Sequence, residues 1–515
     1  MRVPVFLRAG VRPSWRLLLA AVSCGAVMGL GQVPVGIWAA TLAGLAVLLW
    51  LTGRQPCAPS AGWIGFAAGF GHTLVTMYWI TEPFFVEPEV YGWMAPFALL
   101  LMGAGFGLFW GLACGIGHRL GVGPWRVVVI ALALICSDVL RSYAFTGFPW
   151  VLFGHIWIDT PIAQAAAVMG QLGLGLITVL CAAALACIRW RAGQACAVGM
   201  AVVMVGLWTD PGDWLRSPVL QRQVPINLRL IQPNAAQRLK WLPQYRTMFF
   251  RRHLDLTAAP VAPGDPVPDL IIWPETAVPF LLEWPGDGLD MIAQAAKGTP
   301  LAFGVQRAVG TRYYNSLAVM DAQGRIGPTY DKVHLVPFGE YIPFGDVLAR
   351  FGVSAFAAQQ GHGYTPGAAE AVLDLGRAGH VQPLICYEAV FPQDIRRAPS
   401  RPDWIMQVTN DAWFGTLSGP RQHFSLTRMR AIEFGLPIAR VANTGITAMI
   451  DASGTVIAQL GLGEIGHLDV TVPPSRAPTP YTRMGDGPII ALILLLFAGF
   501  SFLGRYFVDP VESDS

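Results

Sequence analysis

Leu384-Ile385-Cys386-Tyr387-Glu388 has the pattern of a short apolar strand that ends in a cysteine and then a carboxylate. Cys386 is the only cysteine between about 215 and 485, while the other seven all lie in the apolar first 200 residues. In an oxidising compartment such a thiol has no local disulfide partner, so it is either buried and structural or chemically used. Motifs elsewhere in the same polar region bear on the choice between these interpretations.

The composition is that of an integral membrane protein. Hydrophobic residues make up 54% of the chain and charged residues 13%, which is about half the usual charged share. The formal net charge of +3 implies no nucleic-acid partner. Lysine occurs only at positions 240, 297 and 332, and arginine supplies the other cations. A lysine beside a candidate site therefore suggests a specific use of its ammonium group.

Eight apolar segments have the length of transmembrane helices. They lie near 14–31, 34–52, 61–81, 93–115, 125–143, 163–187, 194–210 and 487–506. Arginines precede the first segment and occupy alternate loops, whereas the loop 82–91 carries glutamates and 141–160 carries a single arginine. The positive-inside rule then predicts a cytoplasmic N-terminus, with residues 211–486 outside and a C-terminus that returns to the cytoplasm.

One outside loop, residues 144–158, is aromatic and broken by glycine and proline. It is too short to span a bilayer, so it is either a re-entrant segment that shapes a lipid entrance or a plain interfacial aromatic belt. Asp138 and Arg141 are three apart and are expected to form an interfacial ion pair. His72, inside the third apolar segment, is expected to be a packed polar residue.

The polar region has the alternation of an α/β layered domain. Strands are predicted at 226–232, 269–273, 301–306, 316–320, 381–386, 404–408, 438–442 and 446–450. Helices are predicted near 240–257, 286–297 and 420–435. Residues 344–367 are rich in glycine and alanine with scattered aromatic residues, which is typical of a long mobile loop and suggests a lid formed by Phe351, Phe356 and Tyr364.

Two further stretches supply a base and a cation. Glu275 in Trp-Pro-Glu-Thr (273–276) closely follows an apolar strand between two prolines, which would desolvate the carboxylate and suit a general base. Lys332 in Tyr-Asp-Lys (330–332) would hold a thiolate or stabilise an oxyanion. Taken singly, each motif also has a non-functional interpretation. Glu275 could be an exposed glutamate at a strand end, and Lys332 could be a solvated lysine in a polar loop.

Together these motifs resemble the Glu-Lys-Cys triad of the nitrilase (carbon–nitrogen hydrolase) superfamily. The resemblance extends to Asn410-Asp411-Ala412-Trp413-Phe414-Gly415, Arg430-Ala431-Ile432-Glu433, Pro437, Arg440 and Asn443-Thr444-Gly445. Soluble nitrilases lack membrane spans. Seven spans before the domain and one after it, with Gly-Phe-Pro-Trp at 147–150, are similar to the bacterial apolipoprotein N-acyltransferase family.

The resemblance implies an αββα sandwich facing the periplasm at 216–482, a membrane domain with seven transmembrane helices at 1–215, and a last transmembrane helix with a cytoplasmic tail at 483–515. It implies that Cys386 is the nucleophile, Glu275 the base and Lys332 the oxyanion or charge stabiliser. The supporting or substrate-binding residues that it implies are Glu340, Tyr387, Glu388 and Trp241. For Trp241, the alternative is an aromatic residue at the start of an amphipathic helix.

The activity implied is ping-pong acyl transfer from a phospholipid, through a cysteine thioester, to the N-terminal amine of a diacylglyceryl-cysteine lipoprotein. No cofactor or metal is implied, and the protein is expected to be a monomer of the bacterial inner membrane. Two alternatives share parts of this pattern. A membrane-tethered amidase would use the same triad to hydrolyse a small substrate, and a transporter or scaffold would carry an inactive outer domain.

Overall fold

The computed structural model describes residues 12–209, 215–342 and 363–506. The described residues up to Arg216, together with those from Pro480 onward, form one compact unit, and Ser217–Thr479 forms a second. Most of the predicted lid, including Phe351 and Phe356, lies outside the described residues. Tyr364 lies within them, next to Gly363, which forms an isolated antiparallel bridge with Tyr341.

The first unit is helical, and each of the eight predicted spans coincides with a helix. These helices are Trp15–Gly29, Trp38–Gly53, Ala58–Thr76, Ala95–Leu120, Arg126–Tyr143, Ala166–Ala186, Arg191–Thr209 and Gly487–Tyr506. Among the described residues, three helical stretches are long and apolar enough to cross a bilayer: Pro88–Leu120, Pro161–Ala186 and Arg191–Thr209. The count of eight crossings therefore stays a prediction.

Glycine lets two of these helices touch along their backbones. A Cβ atom on Gly25 would lie 1.8 Å from the carbonyl oxygen of Ala68, and one on Gly71 would lie 2.1 Å from that of Val22. Side chains larger than hydrogen would therefore push the helices Trp15–Gly29 and Ala58–Thr76 apart. Small residues serve the same purpose in membrane helix pairs, where close packing replaces the hydrophobic effect.

The aromatic segment 144–158 is folded into this unit. Trp150 and Trp157 are 1% and 0% exposed, and residues Phe153–Trp157 form a short 3-10 helix. A plain belt of exposed aromatic rings is therefore wrong for residues 150–158. Asp138 and Arg141 do form an ion pair, at 3.0 Å, but it is buried, and the free Asp138 oxygen accepts the Phe153 N–H.

The second unit contains two six-stranded sheets. The first has the order β12-β1-β2-β3-β4-β5 and the second β11-β10-β9-β8-β7-β6. The strands are β1 Asn227–Gln232, β2 Leu270–Ile272, β3 Leu301–Val309, β4 Arg312–Met320, β5 Ile326–Asp331, β6 Leu373–Asp374, β7 His380–Ile385, β8 Trp404–Thr409, β9 Ile438–Ala442, β10 Thr447–Ile450, β11 Val456–Leu460 and β12 Gly466–Thr471. The helices include Pro243–Ala258, Gly288–Ala296 and Gly419–Phe434.

The two sheets face each other across one apolar core, and helices cover the outer faces. Alternate residues of each strand divide between the layers: Leu228 and Leu230 pack with Val381 and Met406 of the opposite sheet. On the outer face of the first sheet, Phe303 belongs to a second core formed with the helices Pro243–Ala258 and Gly288–Ala296. The predicted αββα sandwich is confirmed.

Every predicted strand and helix of this unit is present. Its described residues contain four further strands that were not predicted, β5, β6, β11 and β12. β5 contains Gly327 and Pro328, which normally argue against a strand, and it lies at a sheet edge where a missing N–H is tolerated. β11 and β12 are partly exposed on both faces, so their sequences lack a clean apolar alternation.

Candidate active site

Strand direction brings the candidate residues to one edge of the sandwich. β1, β2 and β3 are parallel at the centre of the first sheet, and two antiparallel steps return β5 to the same direction. Glu275 and Lys332 therefore follow strands, β2 and β5, that end at the same edge. In the second sheet, β7 and β8 are parallel, and Cys386 and Asn410 are the residues that immediately follow them. The carboxyl ends of parallel strands are where open α/β sheets place their sites.

Cys386 occupies a strained backbone position immediately after β7. Its φ is +53°, in the left-handed region, which costs a residue other than glycine about 1–3 kcal/mol. The Cys386 carbonyl oxygen is 3.1 Å from Nε2 of His423 and accepts from Gln407 Nε2 at 3.3 Å. The side chain is 5% exposed and begins a single 3-10 turn, Cys386–Val390. Such strain, held by buried hydrogen bonds, is typical of a functional position.

Glu275 is a buried carboxylate, and the exposed strand-end alternative is wrong. Its Oε1 accepts from Asn315 Nδ2 at 2.7 Å, and its Oε2 accepts the backbone N–H of Asn410 at 2.8 Å. The close approach of this loop to β3 requires Gly304, because a Cβ there would lie 2.4 Å from the amide nitrogen of Thr276. The carboxylate is 6% exposed and is held by one donor from each sheet.

Lys332 is equally buried, so the solvated alternative is wrong for it too. It is 1% exposed, and its Nζ lies 2.9 Å from Glu340 Oε1 and 3.7 Å from Glu275 Oε1. Burial lowers the pKa of Lys332, but the carboxylates of Glu340 and Glu275 outweigh it and raise the pKa above its ordinary value. The ammonium is therefore permanently charged beside both carboxylates.

The Cys386 thiol is protonated in this environment. Burial raises its pKa well above the usual value, and the negative charge of Glu275 adds to that effect more than Lys332 offsets it. A preformed thiolate is therefore not the resting state, so nucleophilic use of this sulfur would require a base that removes its proton. The charge of the Glu275 carboxylate acts on this thiol, which makes Glu275 the candidate for that base.

Glu340 and Asn315 complete this arrangement. Glu340 accepts a hydrogen bond from the Lys332 ammonium and another from the backbone N–H of Val336, at 2.8 Å. Asn315 uses one amide nitrogen for both carboxylates, at 2.7 Å from Glu275 and 3.1 Å from Glu340. Sequence reasoning missed Asn315, because the strand predicted there began at 316 and the observed β4 begins at Arg312.

Glu388 and Tyr387 support the loops around the thiol. Glu388 Oε1 accepts from Tyr330 Oη and the Val333 N–H, both at 2.7 Å, and Oε2 accepts the Ile385 N–H at 2.7 Å. Burial raises the pKa of Glu388 to about 7 despite these donors. Tyr387 is buried and packs edge-on against Phe391, with ring centres 4.8 Å apart.

The remaining sequence candidates lie at the margin of the site. Trp241 is partly buried, and its ring centre is 5.2 Å from Nζ of Lys240. Tyr364 is 8% exposed and bonds the side chain of Gln306, while its N–H donates to the carbonyl oxygen of Glu340 at 2.8 Å. Tyr364 is therefore part of the wall beside the carboxylates.

A buried ion network supports the backbone of Cys386. Asp411 lies 2.9 Å from Nδ1 of His423 and accepts from Arg440 at 2.6 Å, and all three side chains are 0% exposed. Burial raises the pKa of Asp411, but Arg440 and His423 outweigh it and leave the pKa below its ordinary value. His423 was not singled out from the sequence. Within the described ranges, no group of three or more His, Cys, Asp or Glu residues is placed to hold a metal ion.

Two family models match the chain. The apolipoprotein N-acyltransferase N-terminal domain matches residues 24–184, and the carbon-nitrogen hydrolase domain matches residues 243–479.

Curated relatives match over nearly their full length. Apolipoprotein N-acyltransferase of Allorhizobium ampelinum is 37% identical over 90% of this chain and 91% of the relative. Those of Sinorhizobium medicae and Rhodopseudomonas palustris are 36% and 35% identical, covering 97% and 94% of this chain and 98% and 95% of the relatives. The chain belongs to the apolipoprotein N-acyltransferase family, whose catalytic domain is of the carbon–nitrogen hydrolase type.

Proposed function

We propose that the chain transfers a fatty acyl group from a phospholipid, through a thioester on Cys386, to the N-terminal amine of a diacylglyceryl-cysteine lipoprotein. The observation that carries this proposal is the buried contact of Glu275 and Lys332 beside a protonated Cys386 thiol, in a chain of this family. The proposal assigns the base, the cation and the nucleophile to those three residues.

In the first half-reaction, the Cys386 sulfur attacks the ester carbonyl carbon of the phospholipid while Glu275 takes the thiol proton. The carbonyl oxygen becomes an oxyanion, and the Lys332 ammonium stabilises its charge in a site from which water is largely excluded. The tetrahedral intermediate collapses, the ester C–O bond breaks, and the lysophospholipid oxygen leaves with the proton held by Glu275. The acyl group remains as a thioester.

In the second half-reaction, the neutral α-amine of the lipoprotein attacks the thioester carbonyl. Glu275, which is again a carboxylate, takes a proton from the attacking nitrogen, and Lys332 again faces the oxyanion. The C–S bond then breaks and the sulfur recovers its proton from Glu275, which leaves an amide on the lipoprotein and regenerates the free thiol. One base thus serves both steps.

The proposal includes a membrane placement that matches both lipid substrates. We propose eight crossings, with residues 216–482 on the periplasmic side of the bacterial inner membrane. The apolar helices and the arginine distribution support it. An acyl donor and a lipidated acceptor both reside in that bilayer, which gives a reason for joining a hydrolase-like domain to membrane helices.

The test supplies the purified protein in mixed micelles with a phospholipid carrying a labelled acyl chain. A synthetic diacylglyceryl-cysteine peptide with a free amine is the acceptor, and the same peptide with an acetylated amine is the control. We expect labelled amide only with the free amine, and none from Cys386→Ala. Release of labelled fatty acid without amide formation would instead support the amidase alternative.

A further inference from the structure

A second buried lysine lies at the loop that carries Glu275. Lys240 ends the short helix Gln237–Lys240 and is 5% exposed. Its Nζ donates to Thr276 Oγ1 at 3.0 Å and lies 3.5 Å from the backbone carbonyl oxygen of Glu275. The ring centre of Trp241 is 5.2 Å from the same nitrogen. Lys240 thus links the segment that contains Trp241 to the loop that carries Glu275.

Lysine is rare in this chain, yet two of its lysines are buried at this loop. The chain has only three lysines, and arginine provides every other basic side chain apart from histidine. Lys297 is exposed, whereas Lys240 and Lys332 are 5% and 1% exposed and lie against the same glutamate, one at its backbone and one at its carboxylate. A buried ammonium is costly unless it is compensated. Its presence at this loop therefore calls for a role.

Among the described residues, Lys240 balances the charges of Glu275, Glu340 and Lys332. The carboxylates of Glu275 and Glu340 bring two negative charges, and Lys332 brings one positive charge. Lys240 supplies the second positive charge beside Glu275. Glu388, another buried carboxyl group of this unit, is bonded to Tyr330 and to backbone N–H groups instead.

We propose that Lys240 is a positioning residue of the acyl-transfer site, which holds the Glu275 loop through its ammonium and neutralises the buried charge set. The inference rests on the proposed function and names a further residue for the same reaction. With a neutral set, negative charge can move from Glu275 to the substrate oxyanion without leaving an uncompensated charge in the interior.

A pH dependence follows for the first half-reaction, which involves no acceptor amine. Burial lowers the pKa of Lys240 to about 8, although Glu275 opposes that shift. The facing helix Pro243–Ala258 contributes His253, whose pKa burial lowers to about 3, so it is neutral throughout this range. We expect thioester formation to slow above about pH 8, where Lys240 loses its proton.

Protonation of Lys240 affects the stability of the fold in the opposite direction to its expected effect on thioester formation. The folded-state pKa of Lys240 lies below its ordinary value of 10.5, so protonation favours the unfolded chain. The penalty is fully present below about pH 8 and disappears as the pH rises toward 10.5. Lys240→Met removes the titrating group and should therefore remove this pH dependence of the unfolding temperature. If Lys240 had only a structural role, its replacement would lower the unfolding temperature and the activity together.

The experiment measures thioester formation and thermal unfolding for wild type, Lys240→Met, Lys240→Gln and Lys297→Met between pH 6 and 9.5. We expect Lys240→Met and Lys240→Gln to slow thioester formation roughly tenfold to a hundredfold, the rate equivalent of one hydrogen bond to a charged group. The alkaline decline should be absent from both variants. Lys297→Met replaces an exposed lysine and should behave as wild type.

The outcomes separate the inference from the function on which it rests. No thioester and no amide product from the wild type would refute the proposed function itself. An active wild type with unchanged rates in Lys240→Met, full activity in Lys240→Gln, or a fall in unfolding temperature parallel to the fall in activity would each overturn the role of Lys240.

Discussion

Replacing Asn315 with leucine tests whether the shared amide holds the base in place. The amide nitrogen lies 2.7 Å from Glu275 and 3.1 Å from Glu340, and Asn315 is 2% exposed. Leucine has similar volume but no donor, so among the described residues Glu275 Oε1 would keep Lys332 alone, at 3.7 Å. A hydrogen bond to a charged group contributes about 1.5–3 kcal/mol. If the bond to Glu275 is needed in the transition state, thioester formation should slow by roughly 10- to 100-fold.

The assay is single-turnover acyl loading with excess phospholipid, read by the mass of the acylated protein over time. Asn227→Leu is a matched control, because Asn227 is a buried amide in the same sheet but begins β1 at the edge opposite the carboxylates. Both variants are compared below their unfolding temperatures. Loading by Asn315→Leu within about twofold of Asn227→Leu would refute the idea that the amide positions the base.

Three other substitutions give distinct outcomes. Lys332→Arg should retain less than about a tenth of the activity, because a guanidinium is larger and planar, whereas the fully buried position between Glu340 and Glu275 holds a compact ammonium. Lys297→Arg should be unaffected, and greater retention by Lys332→Arg would show that only charge matters. Glu275→Gln should block acyl loading itself, and loading at the normal rate would remove Glu275 as the base. Because burial raises the pKa of Glu388 to about 7, ionising it penalises the fold, so its contribution to stability should decline from about pH 4.5 to 7. The pH slope of the unfolding temperature should therefore be weaker in Glu388→Gln than in wild type, and an unchanged slope would contradict this pKa.

The sequence identified the candidate site residues that belong to recognisable motifs. Glu275 and Cys386 each follow a predicted apolar strand closely. Lys332 follows β5, which was not predicted, and was found by its Tyr-Asp-Lys motif. Asn315 lies within a strand and acts through geometry that only the paired sheets create. Lys240 was noticed as a rare lysine, but its contact with the Glu275 loop depends on long-range folding that no local pattern encodes.

In the helical unit, too, some features were predictable from the sequence and others were not. Hydropathy located each of the eight helices, because twenty apolar residues form a strong local signal. The burial of Trp150 and of the pair Asp138–Arg141 was not predictable, since it depends on which helices surround them. An aromatic segment and an i,i+3 ion pair have the same sequence at an interface and in a packed interior.

The most direct test of the central claim is the mass of the chain after incubation with a phospholipid of defined acyl composition and no acceptor. We predict a gain equal to one acyl group, located on the peptide that contains Cys386, removed by neutral hydroxylamine and discharged when a diacylglyceryl-cysteine peptide is added. An adduct confined to another residue, or normal amide formation by Cys386→Ala, would contradict the account.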